Sequence, residues 1–479
     1  MSELKNLQPE RVFYYFEEIT KIPHGSENME EIASFCVKFA EEHNLKYYRD
    51  NANNVVIYKD GTNHLKNAEP IILQGHLDMV CQKTEDSTID FFKDALDVFI
   101  DGDFIKAKNT TLGADNGIAV ACVLAILENN EYTHPPIEAV FTTDEETGMI
   151  GANALDTSVL SAKKMINIDS EEEDTMTVSC AGGTDFKATF AFEREAVKGT
   201  EIEIILNGLK GGHSGIEIDK GRVNANILAG RILNHLKSTN FNLISIDGGD
   251  KTNAITNLCK IRICTENKEE FIKNATEYLD IIKDEISARE PDFAYEINVS
   301  ENGTFNAINK ESADAIIHAL CCMPNGVIDM SAEITGLVET SLNLGILSTT
   351  ENSTEMKTSL RSNKMSALGA LEEKLKAFFS ILPCECTTFD KYPSWEFNSN
   401  SVLQGLYKEI YEKETGKALK VEAIHAGLEC GVFASKIKDF DCISIGPDMF
   451  DVHTVKERLS VSSTERTFKI LLKVLENCK

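Results

Sequence analysis

Four short apolar runs in this chain end in the same way. Pro70–Gln74 (PIILQ) leads into Gly75-His76-Leu77-Asp78. Ile137–Thr142 (IEAVFT) leads into Thr143-Asp144-Glu145-Glu146, and Lys164–Ile168 (KMINI) into Asp169. Asp441–Gly446 (DCISIG) leads through Pro447-Asp448 to His453. Short continuous apolar runs suit strands buried on both faces of a parallel sheet. In open parallel sheets the carboxyl ends of the strands border the ligand-binding crevice. Four strands that each end in His or carboxylate residues therefore predict that those groups converge.

The segments around these runs support an α/β layer. Gln8–Asn44 reads as helical with an interruption near Pro23–Ser26, Asn54–Lys59 as a strand, and Asn116–Asn129 as an apolar helix. Asp115 stands at the start of that helix, where an ordinary N-cap is the competing explanation. From about Asp185 to Lys391 the pattern changes to longer, alternating strands, among them Glu201–Leu206, Lys260–Thr265, Ala294–Val299, Leu342–Leu347 and Met356–Leu360. Helical runs at Arg222–Leu236, Glu269–Ser287, Ser312–Cys321 and Ala367–Ser380 punctuate them. The expectation is an α/β catalytic domain with a largely parallel sheet flanked by helices, built from residues 1–185 and 394–479. An α+β lid domain, residues 186–393, is inserted into it.

Composition limits the function classes. With 479 residues the chain has room for two large domains. A formal charge of −29 opposes binding to nucleic acid and to anionic membrane surfaces. The 13 cysteines are scattered, several of them in apolar runs as at Cys36, Cys122 and Cys442, which reads as free thiols in a reducing compartment. The start, MSELKNLQPERV, is polar and acidic where a signal peptide is basic and then apolar. The longest apolar stretch, Gly117–Leu127, falls short of the ~20 residues that span a bilayer. A cytoplasmic protein is expected.

Two His and several carboxylates form a donor set for zinc, cobalt or manganese. Any one of these residues alone reads more readily as structural; the repetition at strand ends carries the inference. Gathering that many carboxylates without a cation would be repulsive. In His76-x-Asp78 the carboxylate can approach the far ring nitrogen, fixing the tautomer. In Glu145-Glu146 the side chains diverge, so one can bind metal while the other serves as a general base. The acidic run Glu171–Asp174 reads as a solvated loop. His24, His43, His64, His134, His235 and His318 read as structural.

The motifs GHLDMV (Gly75–Val80), TTLGADNGIA (Thr110–Ala119), TTDEETGMIGA (Thr142–Ala152) and INIDSEE (Ile166–Glu172) resemble those of the aminoacyl-histidine dipeptidases. That family shares a dizinc-peptidase clan with carnosinases, aminoacylases and glutamate carboxypeptidases. The resemblance continues in order through GLKGGHSG (Gly208–Gly215), VETSLNLG (Val338–Gly345), LRSN (Leu360–Asn363), HAGLECG (His425–Gly431) and SIGPDMFDVHTVKERL (Ser444–Leu459). It implies two divalent metal ions, zinc first, with cobalt and manganese as alternatives. One would take His76 and Asp169, the other Glu146 and His453. Asp115 would bridge them, followed by a cis peptide bond. Asp78 would orient His76, and Glu145 would be the general base toward a bridging water. The resemblance also assigns His213 to the oxyanion, and Asn253 and Arg361 to the carboxylate end of the substrate. For Arg361 an ordinary ion pair is the competing explanation. Asp rather than Glu at position 169 goes, in that clan, with aminopeptidase or dipeptidase action.

The expected activity is hydrolysis of unblocked dipeptides, including Xaa-His, with the lid closing over the substrate and offering a surface for a homodimer. An N-deacylase or tripeptidase of the same clan is the alternative enzyme. A metal-binding protein without catalysis is the non-enzymatic alternative, and it would be favoured by loss of Glu145 or a ligand; none is missing.

Overall fold

The computed structural model describes residues 3–478, and the chain divides into two compact units. The first comprises Met1–Cys180, Trp395–Ala423 and Leu428–Lys479, the second Ala181–Ser394 and Ile424–Gly427. The return of Ile424–Gly427 to the second unit has no signature in the sequence.

The first unit is built on an eight-stranded sheet. Its order is Lys46–Arg49, Val55–Lys59, Ile137–Thr142, Ile71–His76, Lys164–Asn167, Asp441–Ser444, Thr175–Cys180 and Lys420–Ile424. The four runs singled out in the sequence are its adjacent central strands, and they run parallel to one another. Ile71–His76 and Ile137–Thr142 are buried at every position, which is why they show no alternation. The flanking strands pair antiparallel. The mixed sheet with helices matches the α/β expectation. No helix among the described residues is long and apolar enough to cross a membrane.

The helix Ala114–Glu128 packs on this sheet and is buried at every residue from Asn116 to Leu127. Its close approach explains Gly75: a Cβ there would lie 2.5 Å from Asn116 Oδ1 and 2.8 Å from Ala119 Cβ. The far end of the helix is closed by Lys59, whose ammonium is buried and donates to the carbonyls of Leu127 (2.6 Å) and Asn129 (2.8 Å) and to Asn130 Oδ1 (3.2 Å). A cation satisfying the last carbonyls of a helix is favoured both by hydrogen bonding and by the helix dipole.

A small four-stranded sheet, Met449–Phe450, Arg458–Ser460, Phe104–Ala107 and Val98–Asp101, was not foreseen. Its strands are two to four residues long, too short to show periodicity. It matters because the loop between its first two strands carries His453.

The second unit is a nine-stranded antiparallel sheet packed against the helices Ala225–His235, Lys268–Ile286, Lys310–Cys322 and Met365–Phe379. Its core includes Phe186, Ile204, Ile232, Phe271, Leu320 and Phe379. All 13 cysteines are free.

Lys59→Met keeps the apolar stem but leaves two buried carbonyls without a donor. The expected cost is about 1–3 kcal/mol, read as a lower urea midpoint for the first unit; an unchanged midpoint would show that the cap contributes nothing.

Candidate metal centre

Each group enters the site on a defined piece of backbone. His76 closes its strand and is 1% exposed. Asp115 sits at the start of the buried helix, where it and Asn116 depart from helical geometry and share a cis peptide bond. Asn116 locks this corner: its Oδ1 accepts the His76 N–H at 3.1 Å and its Nδ2 donates to the Ile168 carbonyl at 2.7 Å. One buried amide thereby fixes the ends of two neighbouring strands, those leading to His76 and to Asp169. The turn after Thr142 is braced by buried Asn54, which accepts from the Thr143 N–H and donates to the Gly151 carbonyl.

The resulting geometry centres on Asp115. Its Oδ1 lies 3.1 Å from His76 Nε2 and its Oδ2 lies 3.1 Å from His453 Nε2. His76 Nε2 also faces Asp169 Oδ1 at 3.4 Å, and His453 Nε2 faces Glu146 Oε1 at 2.8 Å. Donor atoms of His76, Asp115 and Glu146 all lie within 4.8 Å of one another. All five predicted ligands are thus brought together in the first unit, with Asp115 offering one oxygen to each imidazole.

Asp78 differs in detail from its expected role. The His76 Nδ1 bonds to the Asp78 main-chain carbonyl at 2.9 Å, and the Asp78 carboxylate stands farther away at 3.4 Å. Either oxygen fixes Nδ1 as a donor and leaves Nε2 as the ring atom that faces the carboxylates. The Asp78 carboxylate is chiefly occupied elsewhere. It accepts the N–H groups of Glu145 (3.0 Å) and Glu146 (3.2 Å) and the Ser26 hydroxyl (2.8 Å). Asp78 therefore sets the position of both glutamates as well as the ring.

The electrostatics fit a cation site. His453 is held up at about 11 by its hydrogen bonds to Asp115 and Glu146. Burial opposes protonation of His76, yet Asp169 and Asp115 hold it well above the ordinary histidine value. Burial raises Asp169 to about 6 and pushes Glu145 well above the usual carboxylate range. These shifts share one cause, crowded and partly desolvated negative charge, which a divalent cation would offset. Two imidazoles and three carboxylates are also the donor types such a cation takes.

Two buried carboxylates escaped the sequence reading. Glu457, 3% exposed, accepts the N–H groups of Leu112 (2.7 Å), Gly113 (3.1 Å) and Ala114 (2.8 Å) and faces that of Asp115 at 3.4 Å. It thereby holds the segment that presents Asp115. Glu429, fully buried, accepts from Gln74 Nε2 (2.5 Å) and the Thr142 hydroxyl (2.7 Å). Burial raises both to about 7. Both lie in the quoted motifs, but nothing in their spacing announced burial. The run Glu171–Asp174 is a largely exposed loop, as expected, with only Glu173 half-buried and accepting from Arg466 with both oxygens at 3.0 Å.

The remaining three candidates lie in the second unit. His213 pairs with Ala254 across two short strands, which sets Asn253 beside it. The N–H groups of Gly215 (3.2 Å) and Ile216 (3.1 Å) point at His213 Nδ1. That makes Nδ1 an acceptor and leaves the proton of the neutral ring on Nε2. Burial and Arg361 keep the ring below its ordinary pKa. Arg361 is 8% exposed, donates to the Tyr392 hydroxyl at 3.1 Å, leaves Nε unpartnered, and forms no ion pair among the described residues. The ordinary ion pair weighed against it is therefore absent. His425, not singled out beforehand, stands near both. It is clamped between the Ser341 hydroxyl (2.7 Å) and Asn363 Oδ1 (3.1 Å), and burial and Arg361 lower it to about 3.

Comparison with known proteins places the chain in a family. A family model described as "Peptidase family M20/M25/M40" matches residues 72–477. The cytosol non-specific dipeptidase of Escherichia coli (strain K12) is 37% identical over 481 residues, which cover 99% of each chain. The crystal structure of aminoacylhistidine dipeptidase from Vibrio alginolyticus is 34% identical and superposes with a TM-score of 0.93, covering 100% of this chain and 98% of that one. A tripeptidase from Staphylococcus aureus, 15% identical with a TM-score of 0.57 over 98% of this chain and 99% of its own, shares the fold. Matched by the family model over most of its length and by a full-length relative at 37% identity, this chain belongs to peptidase family M20/M25/M40.

Proposed function

We propose that this protein is a dinuclear metallopeptidase that hydrolyses unblocked dipeptides, Xaa-His among them. The observation that carries the proposal is Asp115, whose two oxygens face two different imidazoles, each with a further carboxylate beside it. His76 and Asp169 would hold one cation, Glu146 and His453 the other, and Asp115 would serve both. Zinc is the proposed metal, and cobalt or manganese suits the same donors. When bound, the two cations polarise the scissile carbonyl and acidify the attacking water.

The protein's own groups supply the rest. Glu145 takes the proton of the attacking water and delivers it to the leaving amine, a transfer suited to a carboxylate raised by burial. Asp78 keeps Glu145 in place through its backbone N–H. In the second unit, the Nε2–H of His213 is a donor for the oxyanion. Arg361, a buried guanidinium with its Nε unpartnered, is proposed with Asn253 to take the substrate's terminal carboxylate. Free thiols throughout support a reducing, cytosolic setting. The names of the two full-length relatives, both dipeptidases, favour dipeptides over acylated amino acids or tripeptides.

Metal-reconstituted protein should cleave Ala-His and not N-acetyl-Ala-His, and a chelator should abolish the cleavage. Preference for the acetylated substrate would instead identify a deacylase. Glu145→Gln should retain both metals, counted by elemental analysis, and lose about 100-fold or more in kcat; near-normal turnover would remove Glu145 as the base. Glu457→Gln replaces an acceptor of three N–H groups with an amide that can accept only at one atom. It should lower metal affinity or kcat/KM by about 10–100-fold while the fold persists; wild-type affinity and activity would show that the Asp115 segment holds itself.

A further inference from the structure

We propose that a cavity in the first unit, bordering the metal centre, is the specificity pocket for an apolar side chain on the amino-terminal residue of the dipeptide. The proposal rests on the dipeptidase reading above and names the substrate class of that site. The cavity has a volume of about 640 Å³ and includes Glu146 and Thr147 in its lining. It therefore begins at a residue that lies 2.8 Å from His453. From there it extends between Met79, Val80, Cys81, Ile89, Phe91 and Phe92. A space of this size holds the largest natural side chains.

The wall is mostly apolar in effect, because the polar groups among its residues are largely engaged elsewhere. Apart from Glu146 at its mouth, two charged residues line it, Lys83 and Asp90, and both are engaged in shaping the segment that forms it. Lys83 Nζ donates to the Ile89 carbonyl at 2.8 Å. Asp90 accepts from the Phe92 N–H at 3.1 Å and from Lys93 Nζ at 2.6 Å. Ser26, Asn28 and Thr147 are engaged too, by Asp78 and by the carbonyls of Pro23 and Asp144, so that beside the Thr88 side chain most of what is left to meet a ligand is thioether, thiol, aliphatic and aromatic surface. The floor depends on Gly25, which bridges to Met79. A Cβ at Gly25 would lie 2.4 Å from Cys81 Sγ, so any other residue there would displace the thiol. Phe92 is 70% exposed, and an aromatic ring left in water at the rim of a cavity gains contact area when an apolar group enters.

Chemistry decides which residue of the substrate this pocket serves. The carbonyl that is hydrolysed belongs to the amino-terminal residue, so that residue's side chain branches one bond from the reacting carbon. A cavity that starts at Glu146 is within its reach. The other residue bears the terminal carboxylate, for which Arg361 is proposed.

The test measures kcat/KM for Gly-His, Leu-His, Phe-His and Ala-Ala-His with the metal-loaded wild type, Thr88→Trp and Phe92→Ala. Thr88 is an exposed residue of the lining, so a Trp there occupies the cavity without burdening the core. Wild type should favour Leu-His and Phe-His over Gly-His by about 10-fold or more. Thr88→Trp and Phe92→Ala should each erode that preference and leave Gly-His within about threefold of wild type. A flat wild-type profile, or variants that scale all dipeptides equally, would overturn the pocket while leaving the dipeptidase reading intact. Cleavage of Ala-Ala-His as fast as Phe-His would assign the cavity to an additional residue and overturn it too. Failure to cleave any free dipeptide would defeat the dipeptidase reading, and the pocket with it.

Discussion

Crowded negative charge is the constraint around which the first unit is arranged. Asp115, Glu146 and Asp169 converge on the imidazoles of His76 and His453, with Glu145 beside them, partly withdrawn from water. Carboxylates so placed repel one another unless positive charge lies between them. The same crowding is what holds both imidazoles well above the ordinary histidine value and, with burial, raises Asp169. Divalent cations would supply that positive charge. The surrounding structure can be understood as the means of holding this unfavourable group together.

The means are largely buried hydrogen bonds to backbone. Asn116 fixes two strand ends at once, Glu457 gathers consecutive N–H groups ahead of Asp115, and Asp78 holds the N–H groups of both glutamates. Each places a charged or amide side chain where removing it would leave buried backbone donors without partners. That penalty exceeds what the same bonds contribute when formed. Ligands held through rigid strand ends and braced turns keep their geometry when a substrate arrives, which is what a preorganised site requires. The second unit shows the converse. Arg361 is buried with its Nε unpartnered, and His213 is fixed through Nδ1, which leaves the Nε2 proton of the neutral ring available.

Much of this was legible in the residue order. The four apolar runs became the four parallel strands, and the His and carboxylates after them met. Helix and strand runs in the inserted segment also fell close to their expected places, as with Glu269–Ser287 against Lys268–Ile286. Periodicity and burial leave local marks, and these elements are long enough to show them. The strands Met449–Phe450 and Arg458–Ser460 were invisible because two or three residues have no period. Glu457 and Glu429 were invisible because a buried carboxylate looks, in sequence, like a surface one.

The sequence by itself determined the α/β layer, the chemistry of the donor set and the elements that deliver it, since these follow from short-range pattern and residue type. Only the tertiary structure decided that Asp115 faces both imidazoles, that Asp78 serves two glutamates as well as a histidine, and that Arg361 is buried with its Nε unpartnered. It also decided which walls enclose the cavity beside Glu146. Those are relations between residues tens to hundreds of positions apart, set by how the chain packs, and no local pattern encodes them.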